Sequence, residues 1–414
     1  MGLLWLLAMA ACAAAAVPPE GAIFREYRVA MRGDEWRVTD PKAGHPGAAK
    51  FLPNPAIRFP IEDLTDAVRA EILVDRWGGH PGTTGQRVRF NGNAWIDLPS
   101  LSTTPPSSSP ECFMWQDNPA VAIPLSHLRT GENTLEATAG DQICHGFRWG
   151  QWGQNAAIVR VYYADRKLHA RGWIQSPSNG ALLEENPILR LAAEAPEEVE
   201  RVDFLAWYDG YDENGDGVFA DWHHAYFYDR RVAATAEDPR ISGHAGTALA
   251  SPWEVVWDTR WIPDQPPGGL KIAARIRARS GIWYVTPPVI GLRLARGTES
   301  VRFFRPEGVP ERFWVRAGRR AASQVTVPSD PGLAGAVEAA IFVRTWNGAG
   351  EQLTVNGWAV PISGGDHVYA LSRILIPIER LRAGANTIEF HSVTEHHGVE
   401  ILWPGPGLVI RYRR

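Results

Sequence analysis

The residue pattern most able to do chemistry is DGYDENGDGVFAD at residues 209–221. Asp212, Asn214 and Asp216 present oxygens at alternate positions, and Gly217 follows at the sixth. That is the opening of a calcium loop, in which hard oxygens converge on a hard cation and the glycine allows a sharp turn. An EF-hand would place a bidentate Glu at the twelfth position. Here that position is His223, and Asp221 arrives two residues earlier. The expectation is a loop inserted in a β-hairpin, closed by Asp221 and the carbonyl of Val218, with Ca2+ in a structural role. A solvated acidic Asn-Gly turn is the competing reading, and His223 and His224 read as ordinary loop or strand residues.

A second cluster, CHGFRWGQWGQN at 144–155, sets Arg148, Trp149 and Trp152 among Gly, Gln and Asn. An indole face takes the apolar side of a pyranose, while Arg, Gln and Asn bond its hydroxyls. Trp77, Trp95 and Trp115 could extend such a platform, and Trp346, Trp358 and Trp403 are the aromatic candidates nearer the C-terminus. The alternative for each Trp is core packing, with Trp149 and Trp152 against a disulfide. His391, Glu395, His396, His397 and Glu400 could bind a metal or move protons, but a strand followed by a loop scatters them over both faces. Asp97, Glu111, Asp117 and Asp141 are candidates for a carboxylate pair by location alone. No nucleophile elbow, HExxH, phosphate loop or dinucleotide fingerprint occurs.

Residues 1–16 (MGLLWLLAMAACAAAA) resemble a secretory leader ending in small residues, though without an initial Lys or Arg. A lipoprotein anchor at Cys12 is the rival reading. With Cys12 removed, Cys112 and Cys144 remain and are expected to pair in an oxidising compartment. Closing that loop of about 33 residues stabilises by roughly 3–4 kcal/mol on the chain-entropy model.

The elements that must position these groups are strands. The 414 residues are 45 % apolar and 21 % charged, which excludes disorder, and include 18 Trp, 40 Gly and 32 Pro. The balance of 42 basic against 46 acidic residues (net −4) leaves no broad positive field for nucleic acid or an anionic membrane. Residues 69–74, 86–92, 121–136 and 157–163 show alternating patterns that return, in the same order, at 339–344, 352–357, 374–389 and 407–412. Each set holds an Asn-Gly turn and the phrase Leu-Arg-x-Gly-x-Asn-Thr-Leu/Ile-Glu.

That pairing resembles the galactose-binding-like jelly roll of the type preceding catalytic domains in family 2 glycoside hydrolases. The S-P-x-x-G-A, V-D-F and W-D-T phrases of the middle segment resemble bacterial immunoglobulin-like modules. The resemblance implies an all-β chain of tandem β-sandwiches: a jelly roll at 17–165, an immunoglobulin-like sandwich at 166–297 and a second jelly roll at 298–414, after a leader at 1–16. It implies a secreted, non-catalytic carbohydrate-binding protein. A polysaccharide hydrolase or lyase with its site between domains, and a surface assembly protein, are the alternatives; oligomeric state is left open.

Overall fold

The computed structural model describes residues 17–29, 31–100, 112–194, 197–223, 225–226, 241–242, 244–348, 352–362, 369–395 and 398–414. The leader with Cys12, and Glu111, His224, His396 and His397, lie outside the described residues. The chain is all-β and forms tandem β-sandwiches. Among the described residues, helix is confined to one turn at Pro46–Ala49 and short 3-10 turns.

Three apolar cores follow one another along the chain. The first is gathered by strands such as Ala56–Ile61, where Ile57, Phe59 and Ile61 point inward and their neighbours outward, the period of two expected of a half-buried strand. The second centres on Phe204, Ile272 and Leu189, and the third on Phe313, Ile341 and Phe390. In the first sandwich a four-stranded sheet, including Ala56–Ile61 and Gly131–Thr138, faces the sheet holding Ala67–Trp77 and Gln151–Tyr163. In the third, sheets of six and five strands face each other.

The first two cores share a sheet. Ile23–Val29 pairs on one side with Gln151–Tyr163 and on the other with Ile282–Val285, opposing Phe24 to Trp283, so 13 strands are continuous. The strand Gln151–Tyr163 is buried along its whole length, on both faces. One face gives Val159 and Val161 to the first core, while the other carries Arg160, which donates to Glu26 and Glu71. Arg275 of the middle segment reaches both Glu26 (3.5 Å) and Asp203 (3.0 Å), continuing this charge ladder across the joint.

The two stretches carrying the Leu-Arg-x-Gly-x-Asn phrase are built alike. Asn386, fully buried, donates to the carbonyls of Arg382 (2.8 Å) and Gly384 (3.1 Å), and its Oδ1 accepts from Arg382 N–H and the side chain of Asn356. Asn133 makes the corresponding bonds with Arg129, Gly131 and Asn91. Asn91 and Asn356 take positive φ in their Asn-Gly turns, as a primed hairpin turn requires. Each Asn side chain thus ties a hairpin tip to the start of the next strand. Asn386→Ala is expected to lower stability by about 3 kcal/mol, because two carbonyls and one N–H lose partners in a dry site. Urea unfolding midpoints will check this; a loss under about 0.5 kcal/mol would show that the network is dispensable.

Candidate functional site

Two structural features deserve the functional question: a cleft between the first and third sandwiches, and the buried loop that closes their junction with the middle segment.

The cleft begins with Trp36 and Trp77, whose rings lie 5.8 Å apart over Gly153. A Cβ on Gly153 would sit 3.0 Å from Trp36 and 3.2 Å from Trp77, so the glycine makes room for both indoles. The opposite wall is Trp314, which opposes Glu400 across an antiparallel pair, with Trp346 opposing the same Glu400 from its other side. A buried cluster of Met114, Trp346, Tyr369 and Leu402 forms the floor, with Trp77 and Trp314 packed on it. The enclosed volume is about 240 Å³.

Along one side the rings form a ledge. His45 stacks on Trp149 at 4.5 Å, Trp149 meets His80 edge-on at 4.6 Å, His80 stacks on Phe147 at 4.7 Å, and Phe147 approaches Trp314 at 5.9 Å. The ledge therefore crosses from the first sandwich to the third. Phe147, Trp77 and Trp314 remain partly exposed. Polar groups line the same space: Gln151, which accepts from Arg37 (3.3 Å), together with Arg316 and Glu400. Burial lowers the His80 pKa, and the nearby Arg37 and His45 add to this, so its imidazole is neutral at pH 7.

The Cys112–Cys144 disulfide is present, with Cα atoms 5.6 Å apart. It fastens the segment carrying Phe113 and Met114 to the loop carrying His145, Phe147 and Trp149.

The aromatic and basic residues singled out in the sequence are divided by the fold. Trp77 and Trp346 line the cleft, and Trp149 adjoins it through His80. Arg148 is exposed beside Phe147 and does not line it. Trp152 is fully buried in the first core and donates to Thr138 O (3.0 Å), a packing role that a ligand cannot reach. Trp115 is buried beside Arg76 (4.6 Å), with Phe113 and Trp403, so it too is sealed from a ligand. Trp403 meets Phe113 edge-on at 4.9 Å and its N–H donates to Met114 O, joining the sandwiches. Trp358 stands apart on its hairpin near Arg380. The acids do not pair: Asp117 is locked to Arg76 by bonds of 2.8 and 3.0 Å, while Asp97 and Asp141 are exposed. His391 Nε2 lies 2.9 Å from Glu389 Oε1, two residues before it on the same strand. Trp36, Phe147, Trp314, Arg37 and Arg316 were not legible as a group; the available signal was the aromatic-basic pair Trp314-x-Arg316.

The loop at 212–221 is inserted between all three sandwiches. Asp212 is buried and accepts from the N–H groups of Gly215 and Gly217, both at 2.7 Å. Asp216 accepts from Val218 N–H (2.8 Å) and Asn214 (3.3 Å), and Asp221 from Trp222 N–H (2.6 Å). Tyr211 reaches across to Gly405 O (2.9 Å). Buried Arg344 of the third sandwich donates to Gln116 O (2.9 Å) and Gln116 Oε1 (3.2 Å) of the first, and Gln116 donates to Asp75 (2.7 Å). Gly215 has φ +72°, and a Cβ there would lie 1.7 Å from Arg344 Nη1. Burial raises the pKa values of Asp212, Asp216 and Asp221, and Arg344 only partly offsets this for Asp212. Glu213 is pushed up to about 7 by burial and by Asp212. Among the described residues, no three His, Cys, Asp or Glu side chains converge as a ready metal cluster. The donor chemistry of the loop suits a hard cation, but its oxygens are turned onto backbone amides.

No protein-family model matches the chain, and no curated protein matches its sequence. Solved structures share partial likeness. One is a β-porphyranase of glycoside hydrolase family 86 from the human gut bacterium Bacteroides plebeius, at 10 % identity over 56 % of this chain and 35 % of that one, TM-score 0.23. Another is a set of Clostridium thermocellum CbhA fibronectin(III)-like modules, at 11 % identity over 53 % and 94 %, TM-score 0.17. A third is a Faecalibacterium prausnitzii β-glucuronidase, at 10 % identity over 69 % and 48 %, TM-score 0.20. The chain spans about a third of the length of the family 86 enzymes it matches. No helix among the described residues is long and apolar enough to cross a membrane.

Gly215→Ala is expected to expel the loop from the junction. Amide exchange at 212–217 should rise at least tenfold and the melting temperature should fall; unchanged exchange would contradict the close approach. Glu213 tests the electrostatics. Its folded pKa lies above the unfolded value, so the folded state binds the proton more tightly and stability falls as pH rises through the window from 4.5 to about 7. In EDTA, Glu213→Gln should therefore stabilise relative to the parent above pH 7, by about 1–3 kcal/mol, and show no advantage below pH 4.5. An advantage independent of pH would argue against a buried carboxylate.

Proposed function

We propose that this chain is an exported, non-catalytic carbohydrate-binding protein whose ligand lies in the cleft between the first and third sandwiches. The observation that carries this reading is the aromatic ledge crossing the joint, in which Phe147 and Trp314 offer partly exposed rings from opposite walls. Rings of this kind take the apolar face of a pyranose, and Gln151 and Arg37 beside them supply the polar partners that orient its hydroxyls. Binding is favoured over hydrolysis because Glu400 is the one carboxylate among the described residues lining the cleft, whereas a glycosidase needs a flanking pair. Export rests on the leader-like residues 1–16 and on a disulfide, a bond that persists in oxidising compartments.

The loop at 212–221 is the proposed structural calcium site, with Asp212, Asn214, Asp216, Asp221 and the carbonyl of Val218 as ligands. A cation there would offset the crowding of buried carboxylates at the junction.

Polysaccharide affinity electrophoresis with Trp314→Ala and Phe147→Ala tests the cleft. Each substitution is expected to weaken retention about tenfold, the effect of losing one stacking ring of roughly 1–1.5 kcal/mol. Trp358→Ala, outside the cleft, is the control; equal retention by parent and cleft variants would overturn the reading. For the loop, added Ca2+ should raise the melting temperature by several degrees, and Asp216→Asn should abolish that rise. No shift in the parent protein would remove calcium from the account and leave the cleft untouched.

A further inference from the structure

Resting on the cleft reading above, we infer that its ligand is an acidic saccharide, carrying sulfate or carboxylate groups, which Arg37 and Arg316 grip from the two walls. Arg37 belongs to the first sandwich and Arg316 to the third, and both line the same space. Arg316 is exposed and has no ion-pair partner among the described residues. It follows Trp314 by two residues, and both side chains line the cleft. Arg37 is held in place by packing over Trp36 (4.3 Å) and Phe51 (4.6 Å) and by its bond to Gln151 (3.3 Å). Its carboxylate neighbour Asp34, at 3.5 Å, is 80 % exposed, and an ion pair of that kind is worth little.

Against these two cations the lining among the described residues offers a single carboxylate, Glu400, while His80 is neutral. The charged side chains lining the cleft thus sum to +1, within a chain of net charge −4. A neutral sugar would satisfy the rings and leave the Arg316 guanidinium with water alone. A sulfate or carboxylate oxygen accepts from it in a charge-assisted bond, about twice as strong as a neutral one. The local excess of positive charge also repels cationic glycans and draws anionic ones into the cleft.

The test uses the full chain and matched pairs of probes: carrageenan oligosaccharides before and after desulfation, and oligogalacturonate before and after methyl esterification. These pairs distinguish sulfate from carboxylate as the source of charge. A broad panel of immobilised neutral polysaccharides runs beside them. The expected result is at least a tenfold preference for one charged form over its neutralised partner. In Arg316→Gln that ratio should fall towards one, and Arg316→Lys should recover part of it; Arg316 is exposed, so both variants should melt with the parent. Retention of neutral sugars with no preference for charge, or a ratio unmoved by Arg316→Gln, would overturn this inference and leave the cleft reading standing. Retention of no polysaccharide, charged or neutral, would overturn both.

Discussion

The guanidinium of Arg344 holds the arrangement of this protein together. It comes from the third sandwich, is 2 % exposed, and spends two donors on Gln116 of the first. Its charge lowers the pKa of both Asp75 and Asp212 of the middle segment, against the larger upward push of burial. Separating it from them costs much, because the guanidinium would be left in a dry place without its partners. The aromatic contacts nearby, Trp403 on Phe113 and Tyr211 against Phe303 and Phe342, add area to the same junction. Without it the walls of the cleft would have no fixed spacing.

Much of the fold was legible in the sequence for a physical reason. Half-buried strands alternate, and Asn-Gly turns and the Asn133 and Asn386 anchors depend on a few residues close together in sequence. Val88 and Phe90, or Leu353 and Val355, announce an inner face without any knowledge of their partners. Of the Trp residues in the middle segment, Trp257 and Trp283 are buried, whereas Trp173 is exposed.

The site was legible only in fragments. Trp77 and Trp346 are 269 positions apart, and whether an indole faces a groove or a core depends on which sheet closes over it. Trp152 shows the limit: flanked by Gln151 and Gly153 it looks solvent-facing, yet it lies fully buried in the first core beneath the facing sheet. Which face of a strand meets the other sheet is a long-range property that local composition does not carry. Arg316 was invisible for the same reason, since an exposed arginine acquires meaning only when another wall stands opposite.

The continuous sheet also has a mechanical consequence. Between the first and second sandwiches there is a ladder of backbone hydrogen bonds where a linker might have been, reinforced by Arg275 reaching Glu26 and Asp203. Bending there would require breaking several bonds together. These two sandwiches therefore move as one stiff arm, and any opening or closing of the cleft must come from the third sandwich turning against it.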